Sequence, residues 1–164
     1  MLQPVLLRRC RWKVMHRLMG LDIGDKKIGV SLSDPTEVLA TPLTTVIRVT
    51  DDSALKEINR LAQKHDISRI IIGLPYSLDG SIGKQAEKVL VFAKLIEKET
   101  GIEIAMHDER LTSVSADQKL REAGKKGRKL KSEMDAAAAS VILQAYLDEV
   151  KLNGAIAQLE PPNL

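Results

Sequence analysis

The sequence has few aromatic residues, a single cysteine and no long apolar run. Aromatic residues make up 2% of it, so the core must be aliphatic, and recognition by base stacking on aromatic side chains is disfavoured. Cys10 alone cannot form an intrachain disulfide or a cysteine zinc site, which fits a reducing cytoplasm. No apolar run approaches the length of about 20 residues that spans a bilayer. We therefore expect a cytoplasmic protein that does not insert into a membrane.

Positive charge is concentrated at the N-terminus. The formal net charge is +3 over 164 residues, whereas residues 1–17 carry five basic side chains and no acid. We expect residues 1–16 to be a basic arm, 17–150 one domain and 151–164 a C-terminal tail. The arm is a disordered segment that touches nucleic acid, a targeting peptide, or the result of an upstream start codon. We favour the last, with Met15 as the natural start.

The stretch from Leu18 to Asp34 predicts a β-hairpin that contains a buried acid. Two apolar segments flank the turn at Gly24 and Asp25, and Asp22 lies inside the first. An ionised carboxylate there costs several kcal/mol unless a cation or hydrogen-bond donors compensate it. Asp22 could also accept hydrogen bonds in the turn or face solvent on an edge strand. The same hairpin opens sugar kinases and actin-like ATPases, but this chain is too short for their paired domains.

Further along, the pattern predicts an α/β protein. In order we expect an edge strand over 42–47, a helix with an N-cap among 51–53 that ends near 65, a central strand over 69–73, a helix over 84–100 and a strand over 102–107. A right-handed crossover makes the last two strands parallel, so Glu109 emerges at the edge where such sheets carry their sites. His107 is either a ligand beside it or a packing residue.

The segment after Glu109 predicts a helix from about 112 to 124, a basic loop and a last helix over 132–150. The loop is a solvated surface or a nucleic-acid contact; its basic residues include Lys125, Lys126, Arg128, Lys129 and Lys131. Asp135 has capping-box spacing from Ser132 and therefore a purely structural explanation. The alanines at 136–139 would nevertheless let this helix lie close to the sheet and bring Asp135 near the other acids.

Asp22, Glu109 and Asp135 thus lie at the edges of three elements. Three carboxylates without accompanying cysteines or paired histidines suit Mg²⁺ or Mn²⁺. Two such ions roughly 4 Å apart would activate a water and stabilise the leaving oxygen in phosphodiester hydrolysis.

Four motifs in this order resemble the YqgF/RuvX family, which consists of bacterial proteins described as Holliday junction resolvases and as pre-16S rRNA processing nucleases. They are Leu21–Gly24 with Ile28–Val30, Gly73–Pro75 with Asp79–Ser81, Asp108–Thr112, and Asp135–Ala138. The resemblance covers roughly residues 15 to 150.

The resemblance implies an RNase H-like fold: a five-stranded mixed sheet with three antiparallel strands, then two parallel ones, flanked by helices. It also implies that Asp22, Glu109 and Asp135 bind the metal, and that Arg110 and Thr112 shape the site and contact phosphate. Lys27 stands where the family usually has Arg, which keeps the charge but loses bidentate phosphate contact.

We therefore expect a two-metal-ion endonuclease that processes precursor 16S rRNA during ribosome biogenesis, alone or on ribosomal precursor particles. Two rivals remain open: a Holliday junction resolvase acting on branched DNA, and a non-catalytic nucleic-acid-binding assembly factor. A resolvase is expected to be a homodimer because the junction has two equivalent strands, whereas a monomer suffices to trim an RNA end.

Overall fold

A computed structural model describes residues 16–77, 79–109 and 128–159, with the backbone alone for 128–132 and 156–159. In chain order its elements are β1 Arg17–Ile23, β2 Lys27–Ser33, β3 Ala40–Ile47, α1 Asp51–Lys64, β4 Ile67–Leu74, α2 Lys84–Thr100, β5 Glu103–Asp108 and α3 Arg128–Leu159. No helix in these ranges combines the length and the apolar character needed to cross a bilayer.

The five strands form one mixed sheet in the order β3-β2-β1-β4-β5. The first three strands pair antiparallel with one another, while β4 pairs in parallel with both β1 and β5. This confirms the predicted hairpin, the edge position of β3 and the parallel crossover. It is also the RNase H-like arrangement that the family resemblance implied.

The side chains of β1 alternate between two cores. Met19, Leu21 and Ile23 pack with α1 and α2 on one face of the sheet, whereas Leu18 packs with α3 on the other. Because alternate residues of a strand share a face, Asp22 lies on the same face as α3. The core is aliphatic apart from Phe92, as the composition predicted.

Local signals placed most helix ends. Thr50 caps α1, its hydroxyl accepting from the Ser53 backbone N–H at 3.1 Å, so the predicted N-caps at 51–53 were one to three residues late. The predicted ends near His65 and at Gly101 are confirmed, and Gly101 has a φ of 68°. The left-handed conformation favours glycine at that position.

The last helix was wrongly bounded at both ends. α3 begins at Arg128 and continues to Leu159, beyond the predicted limits of 132 and 150. Asp135 is therefore inside the helix, and the predicted capping box with Ser132 is wrong. Arg128, Lys129 and Lys131, expected in a loop, are helical, because Arg, Lys and Leu are good helix formers. The predicted helix near 112–124 lies outside the described residues.

Candidate active site

Asp22 lies near the C-terminal end of β1, on the face covered by α3. Its neighbour on β2 is Gly29. The residue is partly buried, so the carboxylate is not on the open face of an edge strand. Its strand is flanked by β2 on one side and β4 on the other.

Glu109 follows directly after the last residue of β5 and turns back over β4. A Cβ atom added to Gly73 of β4 would overlap Oε1 of Glu109 and come within 2.8 Å of its Cδ. The absence of a side chain at Gly73 therefore makes room for the Glu109 carboxylate above the sheet. The parallel pairing of β4 with β5 brings the ends of both strands to the same edge.

Asp135 comes to this edge from α3. A Cβ atom at Gly29 would overlap the carbonyl oxygen of Asp135 and come within 3.1 Å of the Ala136 nitrogen. The helix backbone thus rests directly on β2, opposite Asp22. One carboxylate oxygen of Asp135, Oδ2, is buried. The structure therefore brings Asp22, Glu109 and Asp135 to one edge of the sheet, although 87 residues separate the first two in sequence.

Burial and mutual repulsion hold protons on these acids. Burial, followed by the charge of Asp22, raises the pKa of Glu109 to about 7. Burial also raises the pKa of Asp22, with a further contribution from the charge of Asp135. A hydrogen bond between the two side chains favours the proton on Glu109, since it lowers the pKa of Asp22 and raises that of Glu109. With a pKa of about 7, Glu109 is close to half protonated at neutral pH.

The donor set fits a hard divalent cation in its chemistry. Carboxylate oxygens are the ligands that Mg²⁺ and Mn²⁺ prefer, and a cation would relieve the repulsion that now raises two pKa values. Among the residues that the structure describes, no three His, Cys, Asp or Glu side chains are already grouped as ligands of one ion. Binding therefore requires loss of the proton that Glu109 shares with Asp22 and a movement of the carboxylates toward one another.

Two sets of polar contacts hold α3 against the sheet. On the β3 side, Gln144 accepts from the Ala40 N–H at 2.8 Å and donates to the Val38 carbonyl at 3.0 Å. On the β5 side, the Arg69 guanidinium donates to the Tyr146 hydroxyl at 3.2 Å. His107 lies 3.5 Å from the Glu149 carboxylate. His107 thus contacts α3 at Glu149.

Only some of the residues predicted to contact nucleic acid are described by the structure. Lys27 opens β2 directly after the turn that follows Asp22, so it lies on the same hairpin. Arg110, Thr112, Lys125 and Lys126 lie outside the described residues. The backbone of 128–131 forms the first turn of α3, which leads to Asp135.

Sequence reasoning missed the role of three glycines. Gly20, Gly29 and Gly73 lie inside strands, and each leaves space that a side chain would fill. At Gly20 a Cβ atom would come within 2.8 Å of the Leu143 Cβ and 2.9 Å of the Ala139 carbonyl oxygen. An isolated glycine within a strand pattern indicates close approach by another chain segment. That signal was present in the sequence and indicates that another segment approaches the sheet closely at these positions, but it does not identify the segment.

Comparison with known proteins agrees with this architecture. The sequence profile of the RuvX family, described as "Holliday junction resolvase", matches residues 16–149. A Clostridium botulinum (strain Hall) protein named "Putative pre-16S rRNA nuclease" is 43% identical over 134 residues, covering 82% of this chain and 98% of the relative. A Chloroflexus aurantiacus protein of the same name is 43% identical over 136 residues, covering 83% and 89%.

Among solved structures, the fowlpox virus resolvase in complex with Holliday junction DNA has the same fold. It superposes with a TM-score of 0.54 at 10% identity, covering 82% of this chain and 98% of the resolvase. At this low identity the likeness establishes the RNase H-like fold.

Proposed function

Because the chain belongs to the RuvX family, we propose that it is a metal-dependent endonuclease that hydrolyses phosphodiester bonds in structured RNA, with precursor 16S rRNA as its substrate. The observation that carries this proposal is the meeting of Asp22, Glu109 and Asp135 at one sheet edge, with the pKa of Glu109 raised to about 7. Relatives 43% identical over most of the chain are named for such a nuclease. Action on precursor rRNA would place the protein in the cytoplasm.

The three acids would bind the cations and position the attacking water. Asp22 and Asp135 would hold divalent cations, and Glu109 would be a further ligand or would orient the attacking water. Bound there, two Mg²⁺ or Mn²⁺ ions would make the water more acidic and stabilise the leaving oxygen. Bound cations would lower the pKa of Glu109 below its metal-free value of about 7, so its carboxylate would be ionised and able to accept a proton from that water.

Substrate binding would fall to the basic residues around this edge. Lys27 lies on the hairpin of Asp22, and Arg110 with Thr112 follows Glu109 in sequence. Lys125, Lys126, Arg128, Lys129 and Lys131 precede Asp135. Such Lys/Arg clusters neutralise phosphates, so the affinity for RNA should fall steeply as salt concentration rises.

The test is cleavage of a labelled precursor 16S rRNA fragment by the purified protein with Mg²⁺, Mn²⁺ or EDTA. Asp22→Asn removes the ligand's charge at nearly constant shape and should abolish cleavage. Asp25→Asn is the matched control, since Asp25 is an exposed acid three residues away whose recorded ion pair, with Lys88, is long at 3.5 Å. Undiminished cleavage by Asp22→Asn would refute the proposed mechanism.

A second candidate function is resolution of branched DNA, which the family description favours. A four-way DNA junction assayed beside the RNA distinguishes the two. If the protein cuts the junction in a metal-dependent reaction and does not cut the RNA, its substrate is branched DNA and the proposed chemistry is unchanged. Tight binding of either without cutting, indifferent to Asp22→Asn, would instead support the assembly-factor alternative.

A further inference from the structure

Arg48 joins the hairpin turn that follows Asp22 to both helices on the opposite face of the sheet from α3. It comes directly after the last residue of β3, and its side chain is only 16% exposed. Its Nη1 donates to the Gly24 carbonyl at 3.1 Å, and its Nε donates to the Asp51 carboxylate of α1 at 2.7 Å. Its Cζ lies 4.1 Å from the centre of the Phe92 ring of α2. One side chain thus contacts three separate parts of the fold.

The turn that Arg48 contacts ends the strand pair on which Asp22 lies. The pairing of β1 with β2 ends one residue beyond Asp22, and the Gly24 N–H closes the turn by donating to the Lys27 carbonyl at 2.9 Å. The backbone of Arg48 adds a further contact, since its N–H donates to the Lys26 carbonyl at 2.9 Å. Arg48 therefore holds two carbonyls of the turn, one by its backbone and one by its side chain.

A second charged contact of the turn is weaker. Lys88 of α2 lies 3.5 Å from the Asp25 carboxylate, and both side chains are more than half exposed, so solvent screens the pair. The Arg48 side chain is largely withdrawn from solvent, and its planar guanidinium donates in fixed directions that a lysine ammonium does not reproduce. Arg48 is thus the better suited of the two cations to fix the position of the turn.

We propose that Arg48 is a positioning residue for Asp22, because by fixing the turn it fixes the backbone that carries this carboxylate. This inference rests on the proposed function, in which Asp22 holds a divalent cation. Loss of an outer residue that orients a metal ligand typically lowers metal affinity or activity about 10–100-fold. Arg48 acts through the hairpin backbone, so its loss should weaken cation binding while all three acids remain.

The test is Arg48→Met, which keeps an apolar stem against Phe92 and loses both side-chain donors. Hydrogen exchange of the Gly24 N–H reports the closing hydrogen bond of the turn without requiring metal or activity. Since exchange there follows local opening, it should become roughly tenfold faster or more in the variant. The Kd for Mn²⁺, measured by calorimetric titration of the metal-free protein, should rise by about tenfold.

Two control variants separate this role from a general loss of stability. Arg60→Met is the matched substitution, because Arg60 forms a bidentate ion pair with Glu57 within α1, at 2.6 and 2.8 Å. Ile58→Val removes a buried methylene from the core under α1, which lowers stability and leaves the contacts of Arg48 in place. Measured well below their thermal midpoints, both variants should keep the original Gly24 exchange rate and Mn²⁺ affinity.

Unchanged Gly24 exchange or unchanged Mn²⁺ affinity in Arg48→Met would overturn the proposal. Equal changes in Ile58→Val would also overturn it, because the effect would then follow general stability. Changes confined to Arg48→Met would establish it. If the unaltered protein bound no Mn²⁺, the proposed function would fail, whereas Gly24 exchange would still decide whether Arg48 holds the turn.

Discussion

Substitution of Gly29 by alanine tests the contact on which the candidate site depends. The added Cβ would overlap the carbonyl oxygen of Asp135 and come within 3.1 Å of the next nitrogen. Overpacking a core typically costs about 1–3 kcal/mol. The obstacle here is backbone rather than a flexible side chain, so we expect a loss of about 3 kcal/mol. For a protein of this size that lowers the thermal midpoint by roughly 6–12 °C.

The same change should also lower the rate of cleavage, and by more than the loss of folded protein accounts for. Relief of the overlap requires α3 to move away from β2 and to carry Asp135 with it, and a displacement of about 1 Å at a reacting centre can lower the rate about 100-fold. Both quantities are measurable: the midpoint by circular dichroism, and cleavage well below that midpoint.

Gly154→Ala on the exposed part of α3 is the matched control for Gly29→Ala. A Cβ there meets nothing within 4 Å, and alanine favours a helix over glycine by about 0.5–1 kcal/mol. It should raise the midpoint slightly. A Gly29→Ala protein with unchanged midpoint and unchanged cleavage would refute the contact between α3 and β2.

Three further predictions concern the acids. The Glu109 carboxyl loses its proton near pH 4.5 in the unfolded chain and near pH 7 in the folded protein. Without divalent ions, the free energy of unfolding should therefore fall as pH rises through this window. Urea midpoints measured across the window test this, and Glu109→Gln should flatten their dependence on pH. In Gly73→Ala the added Cβ would overlap the Glu109 carboxylate, so kcat should fall by more than the loss of folded protein accounts for. Mn²⁺ at about 100 times its Kd should stabilise the protein by about 2.7 kcal/mol, an effect that Asp22→Asn should lose and Asp25→Asn retain.

The sequence predicted the elements whose signals are local. The hairpin around Gly24 and Asp25 and the stop of α2 at Gly101 follow from turn and capping chemistry. The parallel pairing of β4 and β5 follows from the handedness of crossovers. Composition also indicated an aliphatic core.

The start of α3 and the proximity of the acids were harder to predict from the sequence. Ser132 and Asp135 have the spacing of a capping box, but helix-favouring residues before them extend the helix to Arg128. The approach of Asp135 to β2 depends on Gly29, whose meaning becomes clear only once the helix that rests on it is known. Distances between acids far apart in sequence are set by sheet order and packing, which no local pattern encodes.

The packing that forms the candidate site holds acids close together at a cost in free energy. Burial and repulsion raise the pKa values of Asp22 and Glu109, so each acid ionised at this edge costs free energy. Glycines at 29 and 73 bring Asp135 and Glu109 in, and the contacts of Gln144 and Tyr146 hold α3 in place further along the helix. The fold thus keeps carboxylates together that would separate if they were free. Such an arrangement favours cation binding, because a bound cation removes the repulsion between the carboxylates while the packing remains.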